Sequence, residues 1–405
     1  MSRATGFPTS YRSPGAHPRR TPSTDACSSC SWRTSESEAW GRARHGRGSG
    51  YIDTVAEDTV ARRDDPASGA RHGTRHGSRR MTPALNIRFS GAEDTADKPV
   101  LHEIAVAAWT PIMERYRMIV GDDLWGAVWE GWQDNWLRNV NGYVTEMDGD
   151  IVGFATYAES REGVAEIGAN AVHPEHQGFG IGTAQMRHLV GVFRRRGYRC
   201  AWVHTGADPA HGPARAEYRR IGLKKSIRSA GYYCRLREVP SLPPPAGVTH
   251  RWATPGDSAR VREIAYGAWE PLYQAVEGAL GDELYGLTHP GATDRRADEF
   301  AGATENGDPV LLAETAGRPV AFACLDGDET RKLGKLRTVA VLPEFQGEGI
   351  GSTLCMEVFR LFRERGLEYA VLWVKQAEVT PESRGMCWKV GMYHEVLSTN
   401  YYMML

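Results

Sequence analysis

The feature that most constrains this chain is a glycine-rich segment that occurs twice. Residues 172–183 read VHPEHQGFGIGT, and residues 341–352 read VLPEFQGEGIGS. Each copy follows a β-rich stretch and precedes apolar residues at helical spacing, which predicts a strand, a tight loop and a helix. The glycines let the backbone present free N–H groups at a helix start, where the helix dipole also favours phosphate. The alternative for either copy is a helix cap that binds nothing.

The Gln-x-x-Gly-x-Gly pattern, with Val-x-Pro-Glu before it, resembles the acyl-CoA loop of the GNAT N-acyltransferases. It lacks the Gly-Lys-Ser/Thr of a Walker loop and the glycine spacing of a Rossmann fingerprint. The resemblance implies that backbone amides of the loop hold the pyrophosphate of acetyl-CoA, which would be the co-substrate. The residues that it assigns to acetyl-CoA are Ala171, Val172, Gln177, Gly178, Phe179, Gly180, Ile181, Gly182 and Thr183 in the first copy, and Val341, Gln346, Gly347, Gly349, Gly351 and Ser352 in the second.

Other short motifs repeat at a nearly constant offset, which indicates a duplicated domain. The pair Tyr232-Tyr233 recurs as Tyr401-Tyr402, for example. Two copies of this length can each build a full core. We predict a first GNAT domain over 84–238, a Pro-rich linker over 239–247 and a second GNAT domain over 248–405. The resemblance implies a mixed α/β fold for each, with a mostly antiparallel sheet that splays beside the acyl-CoA site and helices on both faces.

Composition predicts a disordered tail over residues 1–83. Residues 1–80 hold 14 arginines, no lysine and 8 acidic residues, a net charge of +6, so the remainder carries −7 of the total −1. An acidic body argues against nucleic acid as a partner. We also expect no membrane span, no metal site and reduced thiols in a cytoplasmic protein. The single CxxC of Cys27 and Cys30 is interpreted as a chance spacing. The sequence is compatible with a homodimer.

Acetyl transfer to an amine needs a base for the acceptor, a donor for the oxyanion and an acid for the departing thiolate. The segment His211-x-x-Ala214-x-x-x-Tyr218-x-x-x-Gly222 resembles the GNAT helix that carries this acid, with His211 in place of Asn. The resemblance implies Tyr218 as the acid, a backbone amide near Ala171 or Val172 as the oxyanion donor, and Glu166 as the base. His204 and His211 are alternative bases, since an imidazole titrates near neutral pH. Tyr218 as a core residue and Glu166 as a solvated one are the plain alternatives.

The second copy departs from this set. The residues 169 positions after Glu166, His204, His211 and Tyr218 are Lys335, Trp373, Thr380 and Cys387. Glu348 also places a carboxylate in the second loop. We therefore predict that the first domain is the catalyst and that the second binds acyl-CoA weakly or has a structural role.

The function predicted is an N-acetyltransferase that moves acetyl from acetyl-CoA to a primary amine of a small molecule by direct attack. Protein amines are the alternative acceptor, and a non-catalytic acyl-CoA-binding or scaffold protein is the alternative class. Trp125, Trp129, Trp132 and Trp136 fall on one face of a predicted helix, where core packing is favoured over an aromatic acceptor wall.

Overall fold

A computed structural model describes residues 84–91, 94–135, 142–375 and 381–405. The predicted tail over 1–83 lies outside these residues, as do Trp136 and Thr380. The described residues form one mixed twelve-stranded sheet, and every neighbouring pair but two is antiparallel. Alternate residues of a strand pack against helices on opposite faces, as Phe154 and Ala155 do. The mixed, mostly antiparallel α/β fold expected from the sequence is confirmed.

The elements of the first half succeed one another in the predicted order. They are β1 (Leu85–Ser90), α1 (Lys98–Val120), α2 (Asp122–Trp129), α3 (Trp132–Asn135), β2 (Gly142–Met147), β3 (Asp150–Arg161), β4 (Val164–Val172), α4 (Ile181–Arg195), β5 (Cys200–Gly206), α5 (Gly212–Ile221) and β6 (Lys225–Arg235).

The second half repeats the series. It contains β7 (Val248–Trp252), α6 (Ser258–Leu280), α7 (Asp282–Thr288), α8 (Ala292–Glu305), β8 (Val310–Thr315), β9 (Arg318–Asp328), β10 (Leu333–Val341), α9 (Ile350–Glu364), β11 (Tyr369–Lys375), α10 (Pro381–Lys389) and β12 (His394–Met404).

The last strands of the two halves are exchanged. The sheet order is β1-β2-β3-β4-β5-β12-β6-β11-β10-β9-β8-β7. Strand β12 pairs with β5 from Ser398↔Gly206 to Met404↔Cys200, and β6 pairs with β11 from Tyr369↔Arg235 to Lys375↔Ser229. Each half therefore has its sheet completed by the final strand of the other.

Helices of each half also pack on a strand of the other half. Tyr116 and Leu124, on α1 and α2, share a buried cluster with Tyr369 of β11. Reciprocally, Tyr273 of α6 shares a buried cluster with Cys200 of β5. The two halves thus bury apolar area against each other, so their stabilities are linked.

The tryptophan stripe does not lie on one continuous helix, and that part of the prediction is wrong. Helix α2 ends at Trp129, because Glu130 leaves helical geometry at φ −53°, ψ 135° and Gly131 has φ +74°. Trp129 and Trp132 are both buried, at 4% and 5% exposure, and Trp129 packs its ring on Tyr116. Their burial is that of core residues.

Five cysteines lie in the described residues, and all are buried free thiols: Cys200, Cys234, Cys324, Cys355 and Cys387. No helix in this part of the chain is both long and apolar enough to cross a membrane.

Candidate active site

The candidate site lies where β4 and β5 separate. They pair in parallel from Val164↔Cys200 to Ile167↔Val203 and then diverge. The divergence coincides with a β-bulge, because the β3–β4 register shifts between Ala155 and Tyr157. A bulge bends its strand and increases local twist, which turns the end of β4 away from β5. We call the resulting gap the first splay.

The first glycine loop closes one end of this splay. Gly178 and Gly180 have φ of +84° and +80°, and α4 begins directly after them at Ile181. A Cβ added at Gly178, Gly180 or Gly182 would meet no atom within 4 Å, so the backbone faces open space. Gln177 Nε2 donates a hydrogen bond to the Val172 carbonyl at 3.0 Å, which ties the loop to the end of β4. An exposed helix N-terminus with this shape suits a phosphate group.

Tyr218 reaches the first splay from α5. Its hydroxyl donates to Asn170 Oδ1 at 2.6 Å, and its side chain is 3% exposed. Burial, and then the negative charge of Glu217, raise the pKa of the phenol above its ordinary value. The phenol is therefore protonated at neutral pH. Thr183 Oγ donates to Glu217 Oε2 at 2.8 Å and so joins the start of α4 to α5.

A second group of polar side chains lies on the other face of the same strands. Ala201 and Val203 of β5 pack with Tyr218, whereas Trp202 stacks on Tyr402 on the opposite face. Side chains alternate along a strand, so His204 shares the Trp202 face. His204 Nδ1 lies 2.6 Å from Asn400 Oδ1 of β12. The same alternation places Glu166 on this face of β4, where it pairs in register with Trp202.

His211 and Asp208 extend this face beyond the end of β5. Asp208 Oδ2 accepts from His211 Nδ1 at 2.5 Å, and Asp208 Oδ1 accepts from Ala210 N at 2.8 Å. Burial opposes the charge of Asp208, but these hydrogen bonds and the charge of His211 outweigh it and lower its pKa to about 2. The ring of Tyr116 on α1 stacks on His211 with centroids 6.3 Å apart. The cluster thus joins α1 to the end of β5.

Burial and charge hold His204 in its neutral form. Burial lowers the pKa of His204 most, and the nearby His211 lowers it further, whereas the hydrogen bond to Asn400 raises it; the net shift is downward. A neutral imidazole can accept a proton at neutral pH.

The second half has the same scaffold with different side chains. Strands β10 and β11 pair from Leu333↔Tyr369 to Leu336↔Leu372 and then diverge, and Gln346 Nε2 donates to the Val341 carbonyl at 3.0 Å. Gly347 and Gly349 have φ of +81° and +85°.

The second loop is more crowded than the first. A Cβ at Gly349 would lie 3.7 Å from Lys389 Nζ and 3.9 Å from Pro245 Cγ, and one at Gly351 would lie 3.1 Å from Met386 Sδ. Pro245, from the predicted linker, therefore lies against the position that corresponds to the open first loop.

The structure places the predicted residues in three groups. The first loop residues and Tyr218 lie on the α4 and α5 side of the sheet, and Glu166 and His204 lie on the opposite face. The second loop lies at the other splay. Sequence reasoning missed Asn170, Asn400, Asp208 and Tyr116. Asn170 lies in β4 directly before Ala171, one of the two predicted oxyanion donors, and so offered a local signal. Asn400 comes from the exchanged strand and offered none.

No three His, Cys, Asp or Glu side chains converge as a metal site within the residues that the structure describes.

Comparison with known proteins agrees with this geometry. A mycothiol acetyltransferase of Streptomyces bingchenggensis is 30% identical over 238 residues, which cover 56% of this chain and 70% of that protein. One from Nocardia farcinica is 29% identical over 248 residues, covering 57% and 73%. A GCN5-related N-acetyltransferase structure from Sphaerobacter thermophilus has the same fold, with a TM-score of 0.51 at 21% identity over 79% of this chain and 95% of that one.

The family model for acetyltransferases matches the chain twice, at residues 102–223 and 272–388. These matches span more than half of the chain and contain both glycine loops. The enzymes of this family use acetyl-CoA as co-substrate. The chain is therefore a tandem member of the acetyltransferase (GNAT) family.

Proposed function

We propose that the first half transfers acetyl from acetyl-CoA to a primary amine of a small molecule by direct attack. The observation that carries this proposal is the buried Tyr218 hydroxyl, held on Asn170 inside the first splay beside an open glycine loop. Pyrophosphate at the loop would leave the pantetheine arm to run along β4, with the thioester in the splay. The loop residues Gln177, Gly178, Gly180 and Ile181, which are predicted to contact acetyl-CoA, belong to this half.

Backbone geometry supports Val172 as the oxyanion donor. The next residue, His173, donates its N–H to Val152 O of β3 at 2.9 Å. Backbone N–H groups alternate in direction along a strand, so Val172 directs its own N–H away from β3 and into the splay. A backbone donor aimed at the developing oxyanion stabilises the tetrahedral intermediate. Of the two amides predicted, Val172 therefore fits this role better than Ala171.

Tyr218 is the proposed acid. When the tetrahedral intermediate collapses, the thiolate of CoA leaves and takes the phenolic proton of Tyr218. The raised pKa keeps that proton on the phenol until the thiolate forms. General acid catalysis of this kind contributes about 10²- to 10⁴-fold to rate.

The base lies on the opposite face, where Glu166 and His204 are the available groups. A carboxylate with an ordinary pKa of about 4.3 is a weak base for an ammonium ion. An imidazole, with an ordinary pKa of about 6.5, is a stronger one.

The second half is proposed to hold the fold rather than to turn over substrate. Cys387 replaces Tyr218 and is fully buried, and burial raises the pKa of its thiol to about 12. A neutral buried thiol among Leu354, Val390 and Met392 is a packing residue. Pro245 and Met386 also crowd the second loop.

The relatives support the proposed acceptor class. Proteins named mycothiol acetyltransferases match more than half of this chain at about 30% identity, and that name refers to a small molecule rather than to a protein. This similarity favours a small-molecule amine over a protein amine.

The proposal is tested by incubating the full-length chain with acetyl-CoA and one amine at a time. Suitable amines are glucosamine, spermidine, kanamycin, the unacetylated form of mycothiol and a lysine-containing peptide. Mass spectrometry should detect an acetylated small amine and one free CoA for each acetyl transferred. Acetylation of the peptide alone would move the acceptor to proteins. Binding of acetyl-CoA without any product would favour the scaffold class.

A further inference from the structure

His204 occupies the first position beyond the parallel pairing of β4 and β5, which ends at Ile167↔Val203. Glu166 lies one residue before that end and is still held between β3 and β5. Two residues along a strand correspond to about 6.5 Å. The imidazole is therefore nearer than the Glu166 carboxylate to the point where the splay opens.

His204 and Tyr218 also lie on opposite faces of the sheet. Val203 shares a cluster with Tyr218, whereas His204 projects with Trp202 to the opposite face, where α6 packs at Trp202 and α1 reaches His211. A thioester in the splay would thus have its carbonyl reached by an amine from the His204 side. Its sulfur would face the Tyr218 side.

We propose that His204 is the base of the acetyl transfer, and that Asn400 of the exchanged strand β12 is a positioning residue that fixes its tautomer. This rests on the proposed function of the first half. Asn400 Oδ1 accepts from the N–H of His204 Nδ1 at 2.6 Å. With that proton on Nδ1, Nε2 is the nitrogen that carries the lone pair.

The proton and electron count is complete with the groups named. Nε2 of His204 takes one proton from the acceptor ammonium, and the free amine attacks the thioester carbonyl carbon, forming a C–N bond. Collapse breaks the C–S bond, and the thiolate takes the proton of Tyr218. The amide nitrogen gives up its extra proton, which restores Tyr218. His204 returns its proton to solvent, so the net products are acetylamide, CoA thiol and one proton.

The charged surroundings of His204 are compatible with this role. Among the described residues, the titratable groups on this face include Glu166 on β4, Asp208 and His211 after β5, Tyr116 on α1, Tyr273 on α6, His289 after α7 and Tyr402 on β12. The hydrogen bond to Asn400 favours the imidazolium after transfer, and His211 opposes it. The base is thus neutral before the reaction and can hold a proton briefly during it.

The second half provides a natural comparison for the pair. The residues that correspond to His204 and Asn400 are Trp373 and Gly231. A Cβ at Gly231 would lie 2.8 Å from the Trp373 ring, so the indole fills the space that an asparagine would need. Both partners of the hydrogen bond are absent together from the half that also lacks the tyrosine acid.

The test uses the full-length chain and the small amine that the wild-type protein acetylates best. His204→Gln should lower kcat/KM at pH 7 about 100-fold and abolish the acidic limb of its pH profile. Asn400→Asp keeps an acceptor on Nδ1 but adds a charge, so it should raise the apparent pKa of that limb by about one unit. Asn400→Ala should lower kcat and leave the KM for acetyl-CoA unchanged. Trp373→Gln, the matched position of the second half, should leave the profile as it is.

The results separate the possible failures. Calorimetric binding of acetyl-CoA and thermal unfolding show that each variant is folded and loaded. A wild-type protein that acetylates no amine would contradict the proposed function itself. An active wild-type protein whose acidic limb survives in His204→Gln, or disappears in Glu166→Gln, would overturn the assignment of the base alone. A limb that does not move in Asn400→Asp would overturn the positioning role.

Discussion

The two halves of the chain share a scaffold, but at the splay two residues that are hydrogen-bonded to each other in the first half are both replaced in the second. Tyr218 and Asn170 of the first half correspond to Cys387 and Val339 of the second, and both members of that hydrogen bond are replaced by groups that pack. A buried polar group that loses its partner costs about 1–3 kcal/mol, so a pair that has no chemical duty is best replaced as a unit. This paired difference is the basis on which we propose that Tyr218 and Asn170 serve the reaction in the first half.

What the halves keep in common concerns the fold. Each loop glutamine donates to the last carbonyl of its strand at 3.0 Å, and each loop turns at glycines with positive φ. The arginines Arg88 and Arg251 each form a bidentate ion pair with an aspartate at a helix start, Asp97 and Asp257. The scaffold therefore does not by itself indicate activity.

The largest effect expected is the loss of cooperative folding of both halves when the exchanged strand β12 is removed. A chain that ends before His394 lacks β12, which leaves β5 and β6 without their shared neighbour and opens the cluster around Tyr402. We expect no cooperative unfolding transition for that chain by calorimetry, and one transition for the intact chain. Two well-separated transitions in the intact chain would show that the halves are independent.

Next in size is the replacement of the proposed acid. Tyr218→Phe keeps the ring in its cluster and removes only the hydroxyl, so kcat should fall about 100-fold while the Kd for acetyl-CoA stays the same. Cys387→Ala is the matched change in the second half and should leave kcat unaltered. Equal turnover in Tyr218→Phe and wild type would remove the main difference between the halves.

A small effect is expected where the helices of the first half dock on the sheet. Arg235 of β6 donates to Asp123 Oδ1 at 2.5 Å and to the Val120 carbonyl at 2.7 Å, and its hydrogen bond is the main cause that lowers the pKa of Asp123 to about 2. The Asp123 side chain is 38% exposed, so Asp123→Ala should reduce the free energy of unfolding at pH 7 by less than about 1 kcal/mol.

The pH dependence of this effect has a defined sign. A depressed carboxyl pKa stabilises the fold above the unfolded value of about 3.9, and the contribution is lost as pH falls towards 2. Denaturant unfolding of wild type and Asp123→Ala should therefore converge between those values. Glu283→Ala, at the corresponding turn, should change stability less, because Arg199 lies 3.8 Å away and both side chains are largely exposed. A gap between wild type and Asp123→Ala that persists at pH 2 would contradict the ion-pair account.

Local sequence signals predicted local structure well. The turn Asp148-Gly149 joins β2 and β3 with φ of +55° and +95°, as a two-residue hairpin requires. The glycine loops, the helix of Tyr218 and the order of elements also follow from short-range patterns. The break after Trp129 was missed, because four tryptophans at helical spacing outweighed a single Gly131.

Long-range pairing could not be predicted in the same way. The two final strands carry the same Tyr-Tyr pair, so neither sequence says whether β12 returns to its own half or crosses to the other. That choice decides whether Asn400 of β12 or Gly231 of β6 lies opposite His204. The partner of a site residue on an exchanged strand is therefore invisible to any argument from local pattern, and Asn400 was found only in the structure.

The central claim is that the first half is the acyl-CoA-dependent catalyst, and a calorimetric titration of acetyl-CoA into the full-length chain tests it most directly. The titration is repeated with Gly180→Val and with Gly349→Val, two glycines of the same left-handed geometry at φ +80° and +85°. We predict one binding site per chain, which is lost in Gly180→Val and retained in Gly349→Val. Two sites, or a single site lost only in Gly349→Val, would contradict the account.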